Sequence, residues 1–467
     1  MERNDCVVVG GGIVGLVSSI LLADRFRRVS VVEKTETLGG LCGSIADDQG
    51  NYFDHGTHIP SFTGSVPLDE VVFGTPEEIV ENWTVLEFLK NGNYHNGEWN
   101  LSGPTIDLRT LPEELYARAC AELILRHQGC DSVDLTTYLL ETLGPTTTLQ
   151  VLAPIVDKLY AVPPTELSLV FSVRYFGLSR VVAFSREVTN NLKALPAFDD
   201  KLGFHTEEDY RACLNGSLDG AYLYPRSGKG VGSWIGHLEK KAAAKGVEFI
   251  TGDHVSSITQ KQGCIRQLEL DGHGVLPCDC LVWTAPTHMA LRAAGLTTPK
   301  AELTFRTACI FHFAFDQPLR DTTSHYHWCW DSNFKTFRIT LYPNLEPHLT
   351  RSRNNLTMEV LCSPEEAEGI TTEDILCEVH ELGFVSRDAR CVSRMKKVEH
   401  STFPVPTPAF NEYVTSCVGQ LEESLSNIIL LGRYSGRTWF MRDVLMEAWE
   451  VISSRFPVEH ASGAGSR

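Results

Sequence analysis

The glycines in Val7-Val8-Val9-Gly10-Gly11-Gly12-Ile13-Val14-Gly15 constrain this chain's fold more than any other stretch. The apolar run Cys6–Val9 predicts a strand, a helix-length stretch opens near Ile13, and Val29–Val32 predicts a second strand. Strand, glycine turn, helix and strand make a βαβ unit. In the G-x-G-x-x-G spacing, Gly10 serves the tight turn and Gly12 lets backbone come close to a diphosphate. Gly15 lets the helix pack closely on the strand. Free N–H groups at Ile13 and Val14, with the helix macrodipole, suit an anion. Glu33, followed by Lys34, ends the second strand. A carboxylate there can accept from both hydroxyls of a ribose and repels a 2′-phosphate, which disfavours NADP.

Cys6–Ala23 carries no charge and invites comparison with a membrane span or an export signal. Glu2 and Asp5 beside Arg3 spoil a positive leader, and three consecutive glycines interrupt the run. The chain is expected to have no transmembrane segment and to be cytoplasmic. Its 467 residues suffice for two or three domains with large cores. A formal charge of −18 argues against nucleic-acid partners and anionic membranes. The 14 cysteines are scattered, with no C-x-x-C and no Cys/His cluster at zinc spacing. No metal site and no disulfide framework are expected; Cys309, Cys329 and Cys362 sit in apolar runs as buried thiols.

After Glu33 the sequence continues through Gly39-Gly40-Leu41-Cys42-Gly43-Ser44. This pattern resembles the extended FAD motif of the clan holding flavin amine oxidases, protoporphyrinogen oxidases and UDP-galactopyranose mutases. Many members have Arg after the glycine pair; Leu41 stands there, which suggests a sub-branch away from typical amine oxidases. Asp54-His55-Gly56-Thr57-His58-Ile59 resembles the segment passing beside the flavin ring. Tyr224–Gly230 leading to His254–Ile258 resembles the second FAD segment, in which the Val255 position backs the adenine end. Asp279–Pro286 resembles the strand and turn that close it. Asn427–Tyr434 resembles the last strand and flavin-contacting turn. The ending Gly432-Arg433-Tyr434, running on to Trp439-Phe440-Met441-Arg442-Asp443, looks closer to the mutase-like and protoporphyrinogen-oxidase-like branch than to typical amine oxidases.

The resemblance implies an α/β chain with a discontinuous Rossmann-like FAD-binding domain from 1–60, 220–300 and 420–455. An α+β substrate domain from 61–219 and 301–419 would hold an antiparallel sheet and a helical part, and 456–467 would be a flexible tail. Pattern alone makes 107–183 helix-rich, and 301–345 with 356–362 strand-like. FAD, held non-covalently because the final block has no cysteine, would contact Gly10, Gly12, Ile13, Val14, Gly15, Glu33, Lys34, Gly39, Gly40, Leu41 and Cys42. Further contacts would come from Gly56, Thr57, His58, Val255, Gly432, Arg433 and Met441. A helix beginning near Asp443 would turn its positive N-terminus to the flavin.

Two residues are candidates for chemistry. His58 either lies at the flavin ring or is a hydrogen-bonded structural histidine; His55 reads as structural. Arg338, between Phe337 and Ile339, is costly to bury unpaired. Its partner is either a phosphate or carboxylate of the substrate or one of the chain's own acids. Tyr326, Trp328, Trp330 and Tyr434 offer aromatic surface to a sugar or base, or simply pack. The expected function is an FAD-dependent oxidoreductase passing a hydride from a small molecule, anionic or a sugar nucleotide, to flavin N5. The alternatives are a redox-neutral enzyme resembling UDP-galactopyranose mutase and a protein that keeps FAD as structure.

Overall fold

A computed structural model describes residues 4–125, 134–169, 178–213 and 221–457. Asp5–Val9, Ile13–Ala23 and Arg28–Val32 form the strand, helix and strand that the glycine spacing requires. Asp5–Val9 is the middle of a five-stranded parallel sheet ordered Glu248–Ile250, Arg28–Val32, Asp5–Val9, Cys280–Trp283, Ile428–Leu430. Both faces are covered, so its strands are almost continuously apolar. Leu16, Val17 and Ile20 of the first helix pack with Trp234 and Leu238 from Gly232–Ala244 and Leu445 and Ile452 from Met441–Arg455. On the opposite face, Val7, Val9 and Leu281 meet the helix Pro408–Ser424 and a meander of Val255–Lys261, Cys264–Leu270 and Gly274–Pro277.

The second sheet has seven strands, ordered Cys391–Pro404, Phe305–Phe315, Asn355–Cys362, Thr336–Leu341, Tyr326–Cys329, Asn91–His95, Glu98–Asn100. It is mixed rather than purely antiparallel: Tyr326–Cys329 runs parallel to Asn91–His95. The parallel join occurs where a hairpin from 91–100 is added to strands from 305–404, a pairing that no local alternation reveals. Along Asn355–Cys362 the period is two. Leu356, Met358 and Val360 face a core with Phe311, Ile375 and Val379 beneath the helices Pro364–Gly369 and Thr372–Glu381. Burying a side chain the size of Phe311 contributes roughly 2–3 kcal/mol. Thr357, Glu359 and Leu361 take the other face.

The helical part, Glu113–Leu125, Leu135–Thr142 and Ala153–Tyr160, packs on Trp328, Trp330 and Phe337 at one end of this sheet. Lys158 fastens it: its ammonium donates to the carbonyls of Cys329, Asp331 and Thr336, each at 2.8 Å. Among the described residues every cysteine is free, and no helix is long and apolar enough to cross a membrane. The tail expected from 456 lies, from 458 onward, outside the described residues.

Candidate active site

The glycine turn is shaped by close approach. Gly10 has φ +103°, and a Cβ on it would stand 2.3 Å from Thr284 Oγ1. A Cβ on Gly15 would fall 1.8 Å from the Gly10 carbonyl oxygen. Gly12 differs: a Cβ there would meet nothing within 4 Å. Gly12 is also the N-cap of Ile13–Ala23, with no side chain capping the helix and no acid in its first turn. The first-turn N–H groups thus have no capping side chain, and there is open space beside Gly12, which suits a diphosphate. Gly39 N–H donates to the Gly11 carbonyl at 2.8 Å, laying Gly39 and Gly40 beside the turn. Gly432 closes the far side: a Cβ would sit 3.7 Å from the Thr284 carbonyl and 4.0 Å from Val14 Cγ2.

Glu33 is buried at the strand end, while Lys34 is exposed. The carboxylate accepts from Gly11 N–H at 2.7 Å and from Thr35 N–H and Oγ1 at 3.0 and 2.8 Å. Three of about four acceptor positions on a carboxylate are therefore taken within the protein. Glu33 N–H donates to Ile250 O and Asp253 N–H to Glu33 O, which sets Val255 on the Glu33 side of the sheet. These residues fit the nucleotide end of a dinucleotide.

A cavity of about 930 Å³ opens between this parallel sheet and the seven-stranded one. Leu41, Thr57, His58, Arg433 and Met441 line one side of it, and Asn91, Tyr326, Arg338 and Glu359 line it from the seven-stranded sheet. Cys42 is buried behind Leu41, its thiol pushed up to about 12 by burial. The helix Met441–Arg455 starts at the cavity without a side-chain cap.

Arg338 finds its anion inside the protein. Its Nε and Nη2 donate to Glu359 Oε1 and Oε2 at 2.7 and 2.6 Å, a two-pronged pair between adjacent strands. Glu359 Oε1 also accepts from Thr57 N–H and Thr57 Oγ1, both at 3.0 Å. Burial raises the Glu359 pKa, but the Arg338 charge outweighs it and holds the carboxyl below its ordinary value. Gly56, at φ +97°, leaves room for this pair: a Cβ would stand 2.5 Å from Glu359 Oε2. The segment around Gly56 and Thr57 is thereby tied to the sheet by charge and backbone together.

His58 is half-buried, with Nδ1 3.3 Å from the Gly56 carbonyl. Burial, reinforced by Arg338 and Arg433, pushes its pKa down to about 4, so the ring is neutral at pH 7. His55 is engaged by the Lys397 ammonium at 2.9 Å. Arg433 donates from Nε to the Trp439 carbonyl at 3.2 Å and lies over the Trp439 ring. Across the cavity, burial with Glu208 beside it pushes Glu207 up to about 7, near the phenol of Tyr222.

Glu359, Asn91 and Glu207 escape sequence reasoning. Glu359 had a signal: it is the single charge in Asn355-Leu-Thr-Met-Glu-Val-Leu-Cys362. Asn91 and Glu207 had none, because they reach the cavity only through tertiary folding.

Residues 8–66 match the family of NAD(P)-binding Rossmann-like domains. The chain is 27% identical over 197 residues to the UDP-galactopyranose mutase of Mycoplasma genitalium, an overlap covering 40% of this chain. The match spans only 43% of that relative's length. Among solved structures, a reduced UDP-galactopyranose mutase superposes with TM-score 0.75 at 18% identity, covering 97% of this chain and 95% of that one. A protoporphyrinogen oxidase-like protein from Exiguobacterium sp. 255-15 gives TM-score 0.66 at 17% identity, over 97% of this chain and 99% of the other.

Proposed function

We propose, for a chain that belongs to the clan of FAD-dependent amine oxidases, protoporphyrinogen oxidases and UDP-galactopyranose mutases, an FAD-dependent oxidoreductase acting on a small molecule held in the 930 Å³ cavity. The observation that carries this reading is the meeting of two surfaces. An open, uncapped helix N-terminus at Gly12 lies on one side, and a cavity walled by Arg338, Glu359 and His58 on the other. In this reading residues 1–60, 220–300 and 420–455 hold FAD, and 61–219 with 301–419 form the substrate side. FAD held by these residues would supply the electron sink for a hydride taken from the substrate.

The protein's own residues bind, orient and hold protons. Gly10, Gly12 and Gly15 with Ile13 and Val14 cradle the diphosphate, and Glu33 offers its remaining acceptor position to the ribose. Glu359, its charge balanced by Arg338, accepts from Thr57 and so fixes the loop carrying His58. With Nδ1–H donating to Gly56 O, His58 Nε2 carries the lone pair and can take a proton from a substrate hydroxyl or amine. A second reading, redox-neutral catalysis on a sugar nucleotide, is favoured by the likeness to UDP-galactopyranose mutase in both sequence and fold.

Anaerobic absorbance titration of the FAD-loaded chain against amines, sugar nucleotides and porphyrinogens tests this. Bleaching by one compound supports the oxidoreductase. Turnover of a sugar nucleotide only after chemical pre-reduction, without net bleaching, moves the reading to the mutase type. Neither bleaching nor turnover with any class counts against both.

A further inference from the structure

A second group of polar residues lines the cavity apart from the Arg338–Glu359 pair. Glu207, Tyr210 and Arg211 reach it from the helix Glu207–Cys213, where their spacing puts them on one face. Tyr222 lines it from the strand Tyr222–Pro225, and Tyr326 from the seven-stranded sheet. The charge of Glu207 acts on the phenols of both Tyr222 and Tyr326, which places its carboxyl beside them. Other charges on the cavity are engaged. Arg338 holds Glu359, Arg442 donates from Nε to the Thr63 carbonyl at 2.9 Å, and Glu399 meets Lys397 at 2.6 Å. Glu207 is half-buried, and among the described residues its carboxyl has no ion pair and accepts no hydrogen bond. Arg211 and Arg442 act on the Tyr222 phenol, but neither offsets the burial of Glu207.

A carboxyl drawn out of water without a cation is driven toward its protonated form, and burial with the exposed Glu208 beside it accounts for the rise of Glu207 to about 7. An occupant that brings a positive charge removes this conflict. The tyrosines suit such an occupant, because ring faces attract cations and phenol oxygens accept from N–H groups. Tyr210 leaves 48% of its surface exposed, and the Tyr222 hydroxyl makes no hydrogen bond among the described residues. We infer that Glu207, with Tyr210, Tyr222 and Tyr326 around it, forms a docking subsite for an organic ammonium group of the substrate. The inference rests on the reading of this cavity as the substrate chamber. An ammonium donates and never accepts, which matches a carboxylate and phenol oxygens. A neutral alcohol leaves the carboxylate charge unbalanced, and a phosphate or carboxylate meets it as a like charge. The charges acting on His58 are those of Arg338, Arg433 and Glu359, so the two sites are separate. Glu207 is a specificity determinant rather than a proton carrier.

Isothermal calorimetry on the purified full-length chain tests this, with FAD content recorded independently by absorbance. The probes are hexylammonium, its neutral counterpart hexanol, and hexanoate. Hexylammonium, like a lysine, loses its proton only near about pH 10, so it stays charged between about pH 6 and 8. At about pH 8 it should bind roughly 10-fold or more tightly than hexanol, and hexanoate should bind more weakly than either. Its affinity should fall as the pH drops below about 7, because Glu207 must then give up a proton to receive it. Near about pH 6 binding should release close to one proton, read from the heats in buffers of different ionisation enthalpy. Glu207→Gln should abolish both the preference for charge and the proton release, with FAD content unchanged. Glu208→Gln, on the exposed neighbour, should keep the preference. The proton count on the wild type needs no variant, so it decides the matter even if Glu207→Gln fails to fold. No binding of hexylammonium, equal binding of hexanol, tighter binding of hexanoate, or a preference for charge that survives Glu207→Gln overturns the inference. Glu207-dependent ammonium binding by a chain that takes up no FAD overturns the functional reading and leaves the subsite standing. A chain that holds FAD but shows no preference for charge does the reverse.

Discussion

The glycine turn at Gly10–Gly15 and the cavity wall at Arg338–Glu359 are built in opposite ways. The turn is made of backbone. Its specificity lies in missing side chains, and each glycine is read from local spacing. The wall is made of side chains whose partners come from far along the sequence: Thr57, Arg338 and Glu359 meet from three separate segments. A backbone site tolerates almost any sequence around it provided the glycines remain. A side-chain site can change its chemistry by one substitution, so under the proposed function the wall is where substrate choice would reside.

The largest effect expected from breaking this contrast is at Gly15. Gly15→Ala drives a methyl to 1.8 Å from the Gly10 carbonyl and should cost about 3 kcal/mol or more in denaturant unfolding without added FAD. Gly12→Val, facing open space at φ −72°, should leave that stability within about 0.5 kcal/mol and abolish flavin retention. Equal loss of stability in both would mean Gly12 faces protein rather than cofactor.

On the wall, Glu359→Ala should destabilise by about 3–5 kcal/mol, because Arg338 is left charged without its partner. Replacing both by Met and Leu should recover most of that loss. A Glu359→Ala cost below about 1 kcal/mol would mean the pair behaves as a surface ion pair.

The smallest effects are in pH dependence, and their signs are opposite. His58 has its pKa depressed from 6.5 to about 4, so its contribution is complete above 6.5 and is lost as pH falls through 4. Glu207 has its pKa raised from 4.5 to about 7, so its contribution is complete below 4.5 and is lost as pH rises through 7. Thermal melts across pH should show His58→Gln flattening the acid limb only and Glu207→Gln the neutral limb only. A variant that flattens both would place the two groups in one coupled set.

The same contrast explains what was legible in the sequence. The βαβ unit appeared within a residue of its observed bounds, because period, glycines and strand composition agree locally. The alternation of Phe337–Leu341 showed a strand, and the cost of burying Arg338 showed that an anion must exist. Which anion could not be read, since Glu359 becomes its neighbour only through strand register. The hairpin at 91–100 was missed for a related reason. Asn91-Gly-Asn-Tyr-His is polar and carries no strand alternation of its own; it joins the sheet through backbone pairing with Tyr326–Cys329.

The most direct test of the central claim, that the open helix end at Gly12 holds FAD, is an absorbance spectrum after incubation with FAD and desalting. Wild type and Gly12→Val should be run side by side. The account predicts near-stoichiometric flavin retained by the wild type and lost by a variant that unfolds at the same denaturant concentration. A wild-type chain that emerges colourless, or a variant that retains flavin equally, would contradict it.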